Sequence, residues 1–360
     1  MRKRMLSEEK FMENPTVMIG MSGGVDSSVA ALLLKNDNME CIGATMQLWE
    51  KTDCSDARTI AGQIGIPFKV LDFQEQFKAL VVRHFVESYE QGLTPNPCIF
   101  CNCTMKFGLM LEKAREIGCT HVATGHYAQV QQDPKTGRYL LKRAADQAKD
   151  QTYFLYGLTQ DQLSHIFFPL GGLHKDHIRE IAQAHGLISA HKRDSQDICF
   201  IPDGDYTAFL SRYTGKQYPA GDFVDLQGTP LGRHRGAVCY TIGQRRGLGI
   251  ALGEPAYVCG KDMEKNTVTL GPNEALMHRA LVTGTMNWVL PPEDLSPIRC
   301  TGKIRHSQFD QPATLYPQAD GSCRAVFDQP QRAICPGQAA VFYQGDTLIG
   351  GGPILRAEDA

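Results

Sequence analysis

The stretch Ser22-Gly-Gly-Val-Asp-Ser-Ser28 constrains this chain more than any other. It follows the apolar run Val17-Met-Ile-Gly-Met21 and precedes Val29-Ala-Ala-Leu-Leu-Leu34. That is the pattern of a strand, a glycine turn and a helix start, with Ser27 and Ser28 as the expected capping residues. Such a turn aims several backbone N–H groups and the positive end of a helix dipole at one point, where a phosphate or pyrophosphate fits. Gly23 and Gly24 permit close backbone approach and a positive φ. No Gly-Lys-Ser/Thr follows, so the loop is not built to hold a transferring γ-phosphate.

The first half alternates strands and helices. The pattern predicts a strand over 39–46, a helix over 56–64, a strand over 68–71 and a long helix over 75–90 closed by Gly92. A further helix is predicted over 107–117, and a strand over 120–123 leads into the loop Thr124-Gly-His-Tyr127. Alternation of this kind builds a parallel sheet covered on both faces. Ligands bind such sheets beyond the carboxyl ends of the strands, the edge that holds both the Ser22 loop and Gly125-His126.

From about residue 205 the helical periodicity fades. Short β-type segments are predicted over 237–241, 256–259, 267–270, 281–289, 300–304, 324–327 and 339–343, with Gln344-Gly-Asp346 as a hairpin turn. The expected division is an α/β unit over 1–204, a small β-rich unit over 205–275 and a β-barrel over 276–360.

Apolar content of 42% and charged content of 21% over 360 residues are those of a globular chain, and no run approaches a membrane span. The first fifteen residues are basic and then acidic, with no apolar signal core, which points to a cytoplasmic protein with no membrane partner. Net charge is −2, so a nucleic-acid partner needs local basic patches. Twelve cysteines in such a chain point to catalysis or metal binding rather than a disulfide scaffold. Cys41, Cys119, Cys239, Cys259 and Cys335 fit the ordinary reading of a buried thiol. Cys101, in Thr94-Pro-Asn-Pro-Cys-Ile-Phe-Cys-Asn102, and Cys199, in Asp194-Ser-Gln-Asp-Ile-Cys-Phe200, are expected in polar loops.

Taken in order, the Ser22 loop, the 94–102 stretch, Ala123-Thr-Gly-His-Tyr127, Lys149-Asp-Gln-Thr-Tyr-Phe154, the 194–201 stretch, Tyr240-Thr-Ile-Gly-Gln-Arg-Arg-Gly-Leu-Gly249 and Cys335-Pro-Gly-Gln338 resemble the tRNA-specific 2-thiouridylases. That family belongs to the PP-loop ATP pyrophosphatases, and the resemblance runs from about residue 16 to the C-terminus. It implies an α/β fold: a PP-loop (adenine nucleotide α-hydrolase-like, Rossmann-like) parallel-sheet domain, a small β-rich central domain and a C-terminal β-barrel that holds tRNA. The implied enzyme is an ATP-dependent tRNA-uridine 2-sulfurtransferase. It adenylates C2 of the wobble uridine, releases AMP and pyrophosphate, and delivers sulfur from a cysteine persulfide.

The resemblance also implies roles. Cys101 is the nucleophile; Cys199 carries the persulfide and forms a transient disulfide with Cys101. ATP with Mg²⁺ falls to Gly20, Met21, Ser22, Gly23, Gly24, Val25, Asp26, Ser27, Met46 and Gly125. Asp26 reads either as a Mg²⁺-placing group or as a helix-start carboxylate. Asn96, Pro97 and Cys98 match the segment around the target base. His126, Lys149, Asp150, Gln151, Arg305, His306 and Gln338 match tRNA contacts, and Arg233, Arg235, Arg245 and Arg246 extend the basic surface. The implied partners are tRNAs for lysine, glutamate and glutamine, and a sulfur donor, either a cysteine desulfurase or a sulfur relay protein. A free thiol is only a few per cent thiolate at neutral pH, so both cysteines need a local cation; His191, Lys192 and Arg193 are candidates beside Cys199.

One residue departs from the family. Many members carry Asp where this chain has Cys98. Cys98, Cys101 and Cys199 form a three-thiolate set that also suits a 4Fe–4S cluster with one open iron, and a zinc site completed by Cys103 or His126 stays open as well. Two rival enzymes share the phosphate loop. A ligase acting on a metabolite needs no cysteine pair, and 4-thiouridine synthetase carries RNA-binding domains ahead of the loop. A cysteine-rich, metal-binding RNA module leaves the phosphate loop unexplained.

Overall fold

The computed structural model describes residues 15–49, 53–190 and 198–359. The basic-then-acidic start and residues 191–197, the first half of the 194–201 stretch included, therefore lie outside the described residues. Val17, Met18 and Ile19 have no exposed surface, as a strand covered on both faces requires. They form β1 (Thr16–Gly20), flanked by β2 (Glu40–Gln47) and β4 (His121–Ala123), with β3 (Phe68–Asp72) beyond β2 and the short strand Ile166–Phe167 beyond β4. All neighbours run parallel. Strand order reverses at β1, which opens a crevice beyond its carboxyl end, next to β4. The Ser22 loop and Gly125 both face that crevice.

Helix α1 spans Val25–Asn36 and is capped by the extended Gly24, with no side-chain cap. The expected capping role of Ser27 and Ser28 is thus corrected. They sit inside the first turn, one turn too late, and fold their hydroxyls back on the Gly24 carbonyl at 3.2 and 2.7 Å.

A second correction concerns Cys101. The chain turns helical at Pro97 and stays so to Glu116, through Pro97–Cys101, a π-helical stretch Asn102–Leu109 and Met110–Glu116. Asn96 is the N-cap, its side-chain oxygen accepting from the Cys98 N–H at 3.2 Å, and Pro97 occupies the first helical position. Asn-Pro here is a helix start, not an extended lead-in. Cys98 and Cys101 therefore lie in the first turns of a helix.

After the sheet domain, a helix Tyr206–Thr214 leads to a sheet of Gly221–Val224, Pro230–His234, Tyr257–Asp262 and Thr267–Gly271. The segment expected as a strand over 237–241 is a 3-10 turn at Ala237–Cys239. The C-terminal part closes into a six-stranded antiparallel barrel, because Met277–Thr283 pairs with both Cys323–Arg332 and Thr347–Glu358. The hairpin turn at Gln344-Gly-Asp346 is present between Ala339–Gln344 and Thr347–Glu358. An unforeseen hairpin, Gln129–Gln132 with Tyr139–Lys142, pairs Leu141 and Lys142 with Leu348 and Thr347. The barrel thereby continues into the strands that follow β4.

A second clasp lies just ahead of Cys98. Thr94 N–H donates to Pro336 O at 2.9 Å, and Gln338 Nε2 donates to Thr94 O at 2.8 Å. Gly337 makes the approach feasible: its φ is +88°, and a Cβ there would stand 2.7 Å from Thr94 N and 2.8 Å from Leu93 Cβ. Gly228 has φ +87° but open space around it, which makes it the control. Gly337→Ala should destabilise the full chain by about 1–3 kcal/mol more than Gly228→Ala, since only the first adds a backbone clash to φ strain. Urea unfolding of the two variants decides this, and equal losses would discount the clasp.

Candidate functional site

The phosphate loop is stiffened from within. Ser22 N–H donates to Ser27 Oγ at 3.2 Å, and Thr45 Oγ1 donates to the Met21 carbonyl. Gly23 takes φ +75°. With Gly24 offering no side-chain cap, the first N–H groups of α1 remain for an anion. Gly125 packs directly against this turn: a Cβ on it would lie 2.7 Å from Ser27 N and from the Asp26 carbonyl carbon. A Cβ on Gly20 would touch Thr124 at 3.4 Å. Met46 ends β2 on the same edge and is partly buried against the core. The expected nucleotide group is thus brought together around one crevice.

Asp26 is already engaged. Lys175 Nζ donates to both its oxygens at 2.8 Å, and Tyr127 Oη donates to Oδ1 at 2.7 Å. The Lys175 side chain is only 7% exposed, so this is a largely buried ion pair. A cation placed by Asp26 would have to displace Lys175. Neither Lys175 nor Tyr127 was among the residues singled out from the sequence. Tyr127 carried a signal, its place in Ala-Thr-Gly-His-Tyr; Lys175 carried none.

Cys101 is buried, whereas Cys98, one turn earlier on the same helix face, and Cys199 are exposed. All three thiols interact with one another, and Lys106 is the cation that favours the thiolate at each. Burial is nonetheless the largest influence. It pushes Cys101 up to about 12, with Lys106 opposing, and it raises Cys98 and Cys199 as well. Crowding around the exposed Cys98 and Cys199 explains why their thiols still feel desolvation. The N–H groups of Cys199 and Phe200 favour the Cys199 thiolate. Cys103 is also pushed to about 12 by burial. Among the described residues, no group of three or more His, Cys, Asp or Glu side chains could hold a metal ion. The described thiols therefore do not fit the cluster or zinc alternatives, and no step is derived through either.

Lys106 links the thiols to the nucleotide crevice. Its Nζ lies 3.4 Å from His126 Nε2, and His126 Nδ1 lies 2.6 Å from Thr124 Oγ1. Burial first, then Lys106, hold His126 well below the ordinary histidine pKa, so it is neutral. An ammonium only donates, which makes Nε2 the acceptor and leaves Nδ1–H to donate to Thr124. Lys106 was missed because the helix was expected to begin at Phe107; a start at Pro97 puts Lys106 on the cysteine helix.

The expected RNA contacts divide. Lys149 is partly exposed, and His306 is exposed with its ring 4.4 Å from that of Phe154. Asp150 is corrected: it is 4% exposed, accepts from Ala144 N–H and Thr152 Oγ1, and pairs with Arg143. Its carboxylate is structural. The Gln151 side-chain oxygen is likewise committed, accepting from Tyr127 N–H at 2.9 Å, and so is Arg305, which donates to the Arg332 and Ala333 carbonyls. Gln338 serves the Thr94 clasp. Beside that clasp a cavity of about 220 Å³ brings Asn96, Pro97 and Phe100 together with Gln338, His84 and Tyr156. Cys98 does not line it.

The tRNA methyl transferase HUP domain model matches residues 15–203, the PRC-barrel model of that group matches 207–272, and the aminomethyltransferase beta-barrel model matches 278–354. A tRNA-specific 2-thiouridylase of Clostridioides difficile is 48% identical, covering 96% of this chain and 99% of its own length. One of Acetivibrio thermocellus is 48% identical, covering 95% and 100%. The chain belongs to the tRNA-specific 2-thiouridylase family. Among solved structures, NMN synthetase from Francisella tularensis covers 57% of this chain and 78% of its own, with 18% identity and a TM-score of 0.34.

Within this 2-thiouridylase fold, the shared cation yields a pH-dependent expectation. Removing Lys106 takes away the group that favours the thiolates, so each thiol should ionise at higher pH. Lys106→Met should move the iodoacetamide reactivity profile of Cys98 toward higher pH, read by peptide mass spectrometry. A profile unchanged from wild type would remove Lys106 from the thiol site.

Proposed function

We infer that the protein is an ATP-dependent tRNA-uridine 2-sulfurtransferase. One observation carries this reading: Gly125 packs on Ser27, the adjoining His126 accepts from Lys106, and the charge of Lys106 acts on the thiols. It joins a pyrophosphate-type loop to sulfur chemistry at one sheet edge. Methyl transfer, the wording of two of the family models, calls for neither paired thiols nor such a loop.

The C2 oxygen of uracil is a very poor leaving group. Attack by that oxygen on the α-phosphate of ATP releases pyrophosphate, whose charge the N–H groups at the start of α1 stabilise. The terminal sulfur of a Cys199 persulfide then attacks C2. Cys101 attacks Cys199 Sγ, the S–S bond to the transferred sulfur breaks, and AMP leaves with the former carbonyl oxygen. The products are 2-thiouridine, AMP and a Cys101–Cys199 disulfide. Mg²⁺ enters with ATP and offsets phosphate charge; Asp26 serves it only if Lys175 yields.

For tRNA, the cavity beside Asn96 and Pro97 offers ring faces and amide groups to an unstacked base. Lys149 and His306 supply exposed contacts, and Arg233, Arg235, Arg245 and Arg246 the surrounding charge. The functional units follow the divisions 1–204, 205–275 and 276–360. The substrates are tRNAs for lysine, glutamate and glutamine, the sulfur donor is a cysteine desulfurase or relay protein, and the reaction is cytoplasmic. Among the described residues no helix is long and apolar enough to cross a membrane.

Two tests follow. ATP should be cleaved to AMP and pyrophosphate only with a tRNA whose wobble uridine is unmodified; chromatography that found ADP instead would end the adenylation reading. Cys101→Ser and Cys199→Ser should each abolish 2-thiouridine in nucleoside digests while AMP release continues, because sulfur moves after activation. Loss of AMP release in both would put the thiols in the first step and contradict this order.

A further inference from the structure

We propose that Cys98 is the resolving thiol of this enzyme, converting the Cys101–Cys199 disulfide into a Cys98–Cys101 disulfide that an external dithiol then reduces. The role rests on the thiolation reading, which ends each turnover on a Cys101–Cys199 disulfide.

Three observations carry it. First, Cys98 and Cys101 are i, i+3 neighbours in the opening turns of the Pro97–Glu116 helix. Such neighbours share a face, and that spacing suits the roughly 4.4–6.8 Å between Cα atoms that a disulfide spans. Second, Cys98 interacts with both members of the spent pair, Cys101 and Cys199. Third, exposure divides the thiols: Cys101 is buried while Cys98 lies at the surface. An external thiol that attacked the exposed Cys199 sulfur would leave a mixed disulfide on the very residue that must be reloaded. Attack from within the chain avoids this, and a tethered thiol acts at high effective concentration. An aspartate in place of Cys98 has no such chemistry.

The step balances as an exchange. The Cys98 thiolate attacks Cys101 Sγ, the Cys101–Cys199 bond breaks, and Cys199 leaves as a thiolate that takes a proton. No net oxidation occurs. An external dithiol then gives two electrons and two protons to the Cys98–Cys101 disulfide and becomes a disulfide itself. Cys199 is free to accept a new persulfide from the first of these steps onward.

The test uses the full chain in two arms. In the first, protein without tRNA is equilibrated in buffers of reduced and oxidised dithiothreitol, quenched in acid, alkylated and mapped by mass spectrometry. The expected bond is Cys98–Cys101, in wild type and in Cys199→Ser; a Cys98 that stays alkylatable at every poise overturns the proposal. In the second, enzyme charged with a low-molecular-weight persulfide makes one turnover with ATP and a tRNA transcript, without reductant. Cys98–Cys101 should accumulate with Cys199 free, whereas Cys98→Ser should stop at Cys101–Cys199. Given a protein dithiol, the variant's steady-state rate should fall about tenfold or more below its own first turnover. Normal 2-thiouridine with Cys98 unpaired sinks the resolving role alone. A Cys98–Cys101 bond with no 2-thiouridine sinks the thiolation reading, and this role with it.

Discussion

The burial of Phe200 fixes where Cys199 stands. Cys199 is exposed, yet the next two residues, Phe200 and Ile201, are 3% and 1% exposed. The Phe200 ring packs against Phe85, Phe209 and Phe77 at 5.3, 5.2 and 5.6 Å between centroids. Full burial of such a ring contributes about 1.5–3 kcal/mol, and edge-to-face pairs add to it. Phe77 and Phe85 lie on the helical stretch Gln74–Glu90, and Phe209 lies in the first helix after the sheet domain. One aromatic anchor therefore holds the residue next to Cys199 against the body of the protein. A smaller residue at 200 would free Cys199 without touching its chemistry.

The second constraint is the barrel's hold on the segment ahead of Cys98. Thr94 is gripped from both sides by Pro336 and Gln338, and Tyr153 Oη donates to Ala339 O at 3.0 Å. The helix that carries Cys98, Cys101 and Lys106 thus begins at the barrel's edge. Anything that binds the barrel and the cavity at Gln338 bears on the start of that helix, where the buried Cys101 thiol stands near 12. Burial therefore holds Cys101 as the neutral thiol at neutral pH.

Much of this was legible in the sequence because it was local. The strand–glycine–helix signature, the helix stopped by Gly65 and the turn at Gly345 follow from neighbouring residues alone. What stayed hidden was set at long range. Leu141 and Lys142 pair with strands more than two hundred residues away, and nothing near them says so. Lys175 reaches Asp26 across 149 positions. Asp150, Gln151 and Arg305 lie in recognisable motifs, but only the fold reveals that hydrogen bonds inside the protein engage the Asp150 carboxylate, the Gln151 side-chain oxygen and one guanidinium nitrogen of Arg305. The helix start at Pro97 was a local signal misread: a polar loop was expected around Cys101, whereas Asn96 as cap and Pro97 at the first position favour a helix.

Lys106 and Asp26 together suggest why activation precedes sulfur transfer. Asp26 is neutralised by Lys175 at the phosphate end, and Lys106 leans on a neutral His126 at the sulfur end. Two links join them: the backbone contact of Gly125 with α1, and Tyr127, which follows His126 in the chain and donates to Asp26. The neighbouring imidazole accepts from Lys106 through Nε2, so a shift of His126 alters how much of the ammonium's field reaches the thiols. Burial opposes Lys106 at Cys98, Cys101 and Cys199, and a small change in that balance moves thiolate populations by large factors, since each pKa unit is about 1.4 kcal/mol. The resting site is poised toward thiol at all three cysteines.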